Sequence, residues 1–160
     1  MKYLTEFEIH AGMFAVFWLT TSLYSVWKTK KTYNERAEKF KKSTDNLVSA
    51  IQMLPFPQIF PLLFIGVFLF YISIDVIGVA LLHSFIGKAD WIVDILSVIL
   101  LLKVVYNFSD LINDLRAMGD DQKFRERLYD YPSPRKRRVL DVVLWVRFMA
   151  SLILFIDIVL

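Results

Sequence analysis

The chain has 160 residues, 56% of them hydrophobic and 16% aromatic, with two histidines, no cysteine and a formal net charge of +3. A mean hydropathy of +0.48 exceeds what a soluble domain of this length uses. The missing cysteines exclude disulfides, thiolate catalysis and cysteine-ligated zinc or iron–sulfur centres.

Taken in chain order, the N-terminal stretch carries acids at Glu6 and Glu8 and lacks a basic segment before a small-residue cleavage site. It reads as the start of a mature membrane protein rather than as a removed signal. The first apolar run, residues 10–27, approaches the roughly 20 residues that a bilayer-spanning helix needs. Residues 28–57 follow, strongly basic but patterned. Tyr33, Ala37, Phe40, Thr44, Leu47, Ile51 and Leu54 recur at alternating four- and three-residue steps, the stripe of an amphipathic helix. Neither Pro nor Gly interrupts residues 22–54, so the first span is expected to run on as one long helix until Pro55, Pro57 and Pro61 turn the chain back. The stripe can pack on another inner segment or lie on the membrane surface. In the functional alternative, Phe40, Leu47, Ile51 and Leu54 dock a partner subunit.

Two further runs, residues 61–86 and 91–106, flank a tight turn at Gly87-Lys88-Ala89-Asp90 and predict a helical hairpin. The next inner segment, residues 108–138, shows Phe108, Leu111, Ile112, Leu115 and Met118 at helical spacing before Gly119-Asp120-Asp121 breaks it. Tyr131-Pro132-Ser133-Pro134 then reads as an extended connector. Arg135, Lys136, Arg137 and Arg138 abut the last run, residues 139–160, and suit anionic lipid headgroups better than nucleic acid. Fifteen of the 19 basic residues lie in the two inner segments, which predicts both segments in the cytoplasm and both termini outside. The expected architecture is therefore all-α: a single membrane domain, 1–160, with four transmembrane helices and cytoplasmic amphipathic helical extensions.

Ionisable residues inside the runs are where function is sought, because charge in lipid is costly. Asp75 is the deepest acid; Asp94 and Asp157 sit about a turn inside their spans. The three can converge as a cation or proton site, or Asp94 and Asp157 can simply be hydrated at the interface. Arg147 lies about 12 Å from the inner end of the last run at 1.5 Å per residue. It can reach the inner headgroups, or pair with an acid or with Thr20, Thr21 and Ser22. For Lys103, near the expected inner end of its span, snorkelling suffices.

His10 and His83, both near outer span ends, are the only histidines and could ligate a metal or haem. Two interfacial histidines are equally ordinary without a cofactor, and none is expected. No nucleophile–base motif, P-loop or metalloprotease signature occurs, and no internal repeat or paired Gly/Pro break suggests a duplicated transporter. The leading expectation is a non-enzymatic multi-pass subunit or scaffold of a larger membrane complex. Its partners would be other membrane subunits, or copies of itself, together with membrane lipids. The alternative is an ion- or proton-conducting component that uses Asp75 with Asp94, Asp157 or Arg147.

Overall fold

Helix α1 (Glu6–Thr29) opens on a capping box in which the Thr5 side chain accepts from the Glu8 N–H while the Glu8 carboxylate accepts from the Thr5 N–H at 2.7 Å. The same device starts α2 (Tyr33–Gln52), with Thr32 and Glu35 in those roles. This second box divides what the uninterrupted sequence suggested was one long helix. Thr32 takes an extended backbone (φ −60°, ψ 158°), and its side chain satisfies an N–H that would otherwise belong to a continuing helix. The computed structural model describes residues 5–53, 60–86, 90–118 and 120–159, which are helical or connect helices, with no strand among them. Leu54, Pro55, Pro57 and the turn at 87–89 lie outside the described residues.

The remaining helices are α3 (Phe60–Phe85), α4 (Trp91–Ala117), α5 (Asp121–Leu128) and α6 (Pro134–Val159). Two boundaries differ from those expected. α4 does not end near Tyr106 but continues through the second stripe to Ala117, because nothing between Tyr106 and Ala117 breaks it. α6 begins at Pro134 rather than at Val139. Proline at the first helical position loses no hydrogen bond, since that N–H has no intrahelical partner. The four basic residues therefore occupy the opening turns of the last helix.

α1, α3, α4 and α6 are each long and apolar enough to cross a membrane. At 24 to 27 residues they measure about 36 to 40 Å, against roughly 30 Å for a hydrocarbon core. The chain is an integral multi-pass membrane protein, and its surface agrees. Leu62, Val67, Phe70, Val98, Val105 and Val142 all point outward, an apolar exterior that water would not tolerate.

Inside, small residues set the spacing. α1 makes its most extensive contact with α6, where Ala11, Ala15 and Ser22 are buried, as are Ala150 and Ser151. α3 packs on α4 and α6. It also meets α1, and at Gly78 a methyl group would stand 2.5 Å from Cζ2 of Trp18. Glycine is required there by space, not by backbone angle. Trp18, Leu82, Leu100 and Leu154 are fully buried around that contact.

At the end of the bundle that carries α2 and α5, the chain folds back on itself. Tyr131 packs in tilted contact against Tyr33 and Phe40, with ring centroids 5.4 and 5.1 Å apart. The Tyr33 hydroxyl donates to the carbonyl of Pro132 at 3.2 Å, and the Tyr129 hydroxyl donates to Asp45 at 2.7 Å. Arg36 grips Asp141 of α6 with three hydrogen bonds of 2.8 to 3.0 Å.

Candidate functional site

Each of the four spans sends one polar side chain to a common point near its middle. The focus is the carboxylate of Asp75 on α3, which is 1% exposed. Arg147 of α6, also 1% exposed, donates from Nε to Oδ1 at 2.6 Å. Lys103 of α4 donates from Nζ to Oδ2 at 2.6 Å. Trp18 of α1, whose indole N–H can only donate, reaches Oδ1 at 3.2 Å. One carboxylate thus ties together all four membrane-crossing helices.

The positions follow from where each residue falls along its helix. Trp18 is 12 residues into α1 and 11 from its end; Lys103 is 12 into α4 and 14 from its end. Arg147 is 13 into α6 and 12 from its end. None of them can reach water along its own helix axis, so each polar group must find its partner inside the bundle. The pairing carries two cations against one acid. The surplus charge is met by the ring of Tyr71, one turn before Asp75, whose centroid lies 5.2 Å from Lys103 Nζ and 5.5 Å from the Arg147 guanidinium carbon. Thr21 adds a weak acceptor to Arg147 at 3.5 Å.

Lys103 corrects the sequence reading. It does not snorkel to an interface; it is buried and paired, because α4 runs eleven residues past Tyr106 and so places Lys103 at mid-helix. Of the four intramembrane residues singled out, the structure brings Asp75 and Arg147 together and leaves the others apart. Asp94 is exposed in the first turn of α4, with His83 Nδ1 at 3.9 Å, and Asp157 is exposed near the end of α6. The three acids therefore do not converge: the two outer ones lie exposed near helix ends, away from Asp75.

The histidines are not joined either. His10 Nδ1 lies 2.7 Å from the Glu6 carbonyl of its own helix, while His83 faces Asp94. Among the described residues no three His, Cys, Asp or Glu side chains come together as metal ligands would.

The stripe on α2 is divided. Phe40 is occupied by Tyr131 of this chain, and Thr44 reaches the Leu128 carbonyl at 3.5 Å. Phe40 is thus half-buried against this chain's own Tyr131. Farther along, Leu47 is 40% exposed and Ile51 half-buried. In the basic cluster, Arg135, Lys136 and Arg138 are exposed, whereas Arg137 turns inward to Asp141 at 3.3 Å and to the Tyr131 ring.

Trp18, Tyr71 and Lys103 are the members of the central site that sequence reasoning missed. Lys103 had a signal, a lone cation inside Leu-Leu-Leu-Lys-Val-Val. Trp18 and Tyr71 had none, since aromatic residues are common throughout these runs. Comparison with family models, with curated proteins and with solved structures finds no match to this chain.

Proposed function

We propose that this protein is a non-enzymatic, multi-pass subunit of a larger membrane assembly. Its four-helix bundle anchors a helical platform, α2 and α5, on the cytoplasmic side. The orientation rests on the basic residues: fifteen of 19 flank the spans at the platform end. One observation carries the functional reading. The deepest acid in the chain is held at 2.6 Å by two cations from two other helices, and both of its oxygens are engaged. A carboxylate that must bind and release a moving ion needs freedom to exchange its partners. This one instead links helix to helix. The exposed part of the α2 stripe, at Leu47, and the exposed Met53 just beyond the helix supply apolar surface for a protein neighbour.

The test is a pair of measurements on the same protein. Reconstituted into sealed liposomes, it is expected to pass neither protons nor alkali cations under an imposed gradient. In its native membrane it is expected to migrate as part of a larger complex. A flux that disappears in Asp75→Asn while the protein stays folded would overturn this reading in favour of conduction through the Asp75 site.

A further inference from the structure

A cavity of about 570 Å³ lies between α4, α6 and the residues that follow α5. That size is within the roughly 300 to 1,000 Å³ of ordinary ligand pockets. It extends along α4 from Ile99 to Asp114, a length of about 22 Å at 1.5 Å per residue. Away from the platform its walls are largely aliphatic, with Ile99 and Leu102 of α4 facing Leu140 and Val143 of α6; Tyr106 and Lys103, whose ammonium is held by Asp75, also line it. Towards the platform end its lining is charged. Asp110, Asp114 and Asp130 stand there against Arg127 and Lys136, three carboxylates to two cations. Arg127 is consumed between Asp114 at 2.9 Å and Asp110 at 3.6 Å. Asp130 and Lys136 join no ion pair among the described residues, and both are exposed.

This arrangement is one narrow apolar trough with an acidic mouth, set into the end of the molecule that is otherwise strongly basic. We infer that the cavity binds one membrane lipid whose headgroup carries a primary amine, an aminophospholipid of the phosphatidylethanolamine kind. Its acyl chain lies along Leu102, Leu140 and Val143; its ammonium sits at Asp110 and Asp130; its phosphate meets Lys136. A primary ammonium offers three N–H donors for charge-assisted bonds to these carboxylates. A quaternary choline offers none, and a phosphoglycerol headgroup brings a negative charge to an already acidic mouth. The apolar walls select a lipid over a soluble amine. The inference rests on membrane insertion alone and not on the subunit reading, so a flux or assembly result that sinks one leaves the other standing.

The experiment follows thermal unfolding of the full-length protein in detergent with added dioleoyl phosphatidylethanolamine, phosphatidylcholine or phosphatidylglycerol. Phosphatidylethanolamine is expected to raise Tm by about 5 to 10 °C at a hundredfold excess over Kd, with much smaller shifts from the other two. Asp130→Asn, at an exposed position, should remove most of that preference without lowering the lipid-free Tm. Leu102→Trp, placed at an outward-facing wall residue so that folding tolerates it, should blunt the response by filling the trough. Equal protection by the three lipids, protection by none, or a phosphatidylethanolamine shift unchanged in both variants would each overturn the inference.

Discussion

Two polar assemblies hold this molecule together, and they obey opposite rules. At mid-span, Asp75, Lys103 and Arg147 are almost completely buried and carry unequal charge. At the platform end, Arg36 and Asp141 make an equally well-formed bidentate contact with side chains 14% and 20% exposed, and Arg137 adds a second cation to the same carboxylate. The geometry is similar, one Asp between two bases. The surroundings differ. Near water a lost partner is replaced by solvent, so each pair contributes little. In the bundle interior nothing replaces it, and removing one partner exposes the full cost of the other's charge. The same chemical motif is optional at one end of a helix and obligatory in its middle.

The strongest way to test this contrast is Asp75→Asn. It leaves two cations facing each other with no acid between them, and a loss of about 3 to 5 kcal/mol or more is expected. Lys103→Met should be far milder, because a neutral Asp75–Arg147 pair remains. Joining Asp75→Asn to Arg147→Met should recover only part of the loss, since Lys103 is still unpaired; adding Lys103→Met should recover most of it. Thermal unfolding in detergent gives the ranking. If Lys103→Met proves as damaging as Asp75→Asn, the charge argument is wrong.

Gly78→Ala tests whether the central site depends on packing as well as charge. The new methyl group would press on a fully buried Trp18 ring, and overpacking of this kind costs about 1 to 3 kcal/mol. The indole should shift away from Asp75, visible as a change in Trp fluorescence in a variant background that keeps Trp18 as the sole tryptophan.

At the platform end the effects shrink. Thr32→Ala removes the cap that restarts α2 and should cost about 1 kcal/mol, read as faster amide exchange over residues 33–36. Its partner Glu35 adds a pH signature. The backbone N–H of Thr32, chiefly, holds that carboxyl below the ordinary carboxylate range. A lowered folded-state pKa means the contribution is complete at neutral pH and is lost as pH falls through the lowered value. Protection of the amides at the start of α2, measured against their intrinsic exchange rates, should therefore fall in acid, and Glu35→Gln should abolish that response. Smallest of all, Arg36→Gln should cost about 0.5 to 1 kcal/mol. High salt should weaken the wild-type contact, because the Debye length falls from about 10 Å at 0.1 M to about 3 Å at 1 M. The mid-span cluster should ignore the same change of salt.

The four spans were legible because length and apolar content are enough to define them. What the sequence obscured were boundaries, and the errors had consequences. Reading the third span as ending at Tyr106 placed Lys103 near an interface, where a long flexible cation needs no partner. With the helix running to Ala117 the same residue is at mid-helix, buried against Asp75. The break before α2 was readable as Thr-x-x-Glu at Thr32 and Glu35, the pattern that also opens α1 at Thr5 and Glu8. It was missed because only Pro and Gly were sought as interrupters. The partners of Asp75 were not legible in full, since which faces of four separate helices meet depends on small residues such as Gly78 and Ala150 that carry no chemical label.

The placement of the three central charges also bears on the order in which the chain can be made. α3 brings Asp75 and α4 follows directly with Lys103, so the two central charges of this hairpin cancel before anything else joins it. α1 brings no ionised group to the site, only an indole. α6 arrives last and alone, with an arginine at its centre that costs roughly 2.5 to 3.5 kcal/mol to leave in lipid. Its only opposite charge at the site is the carboxylate of the hairpin made before it. The final helix therefore docks with its own driving force, and a chain truncated before α6 should still insert its first three spans as a unit whose two central charges cancel.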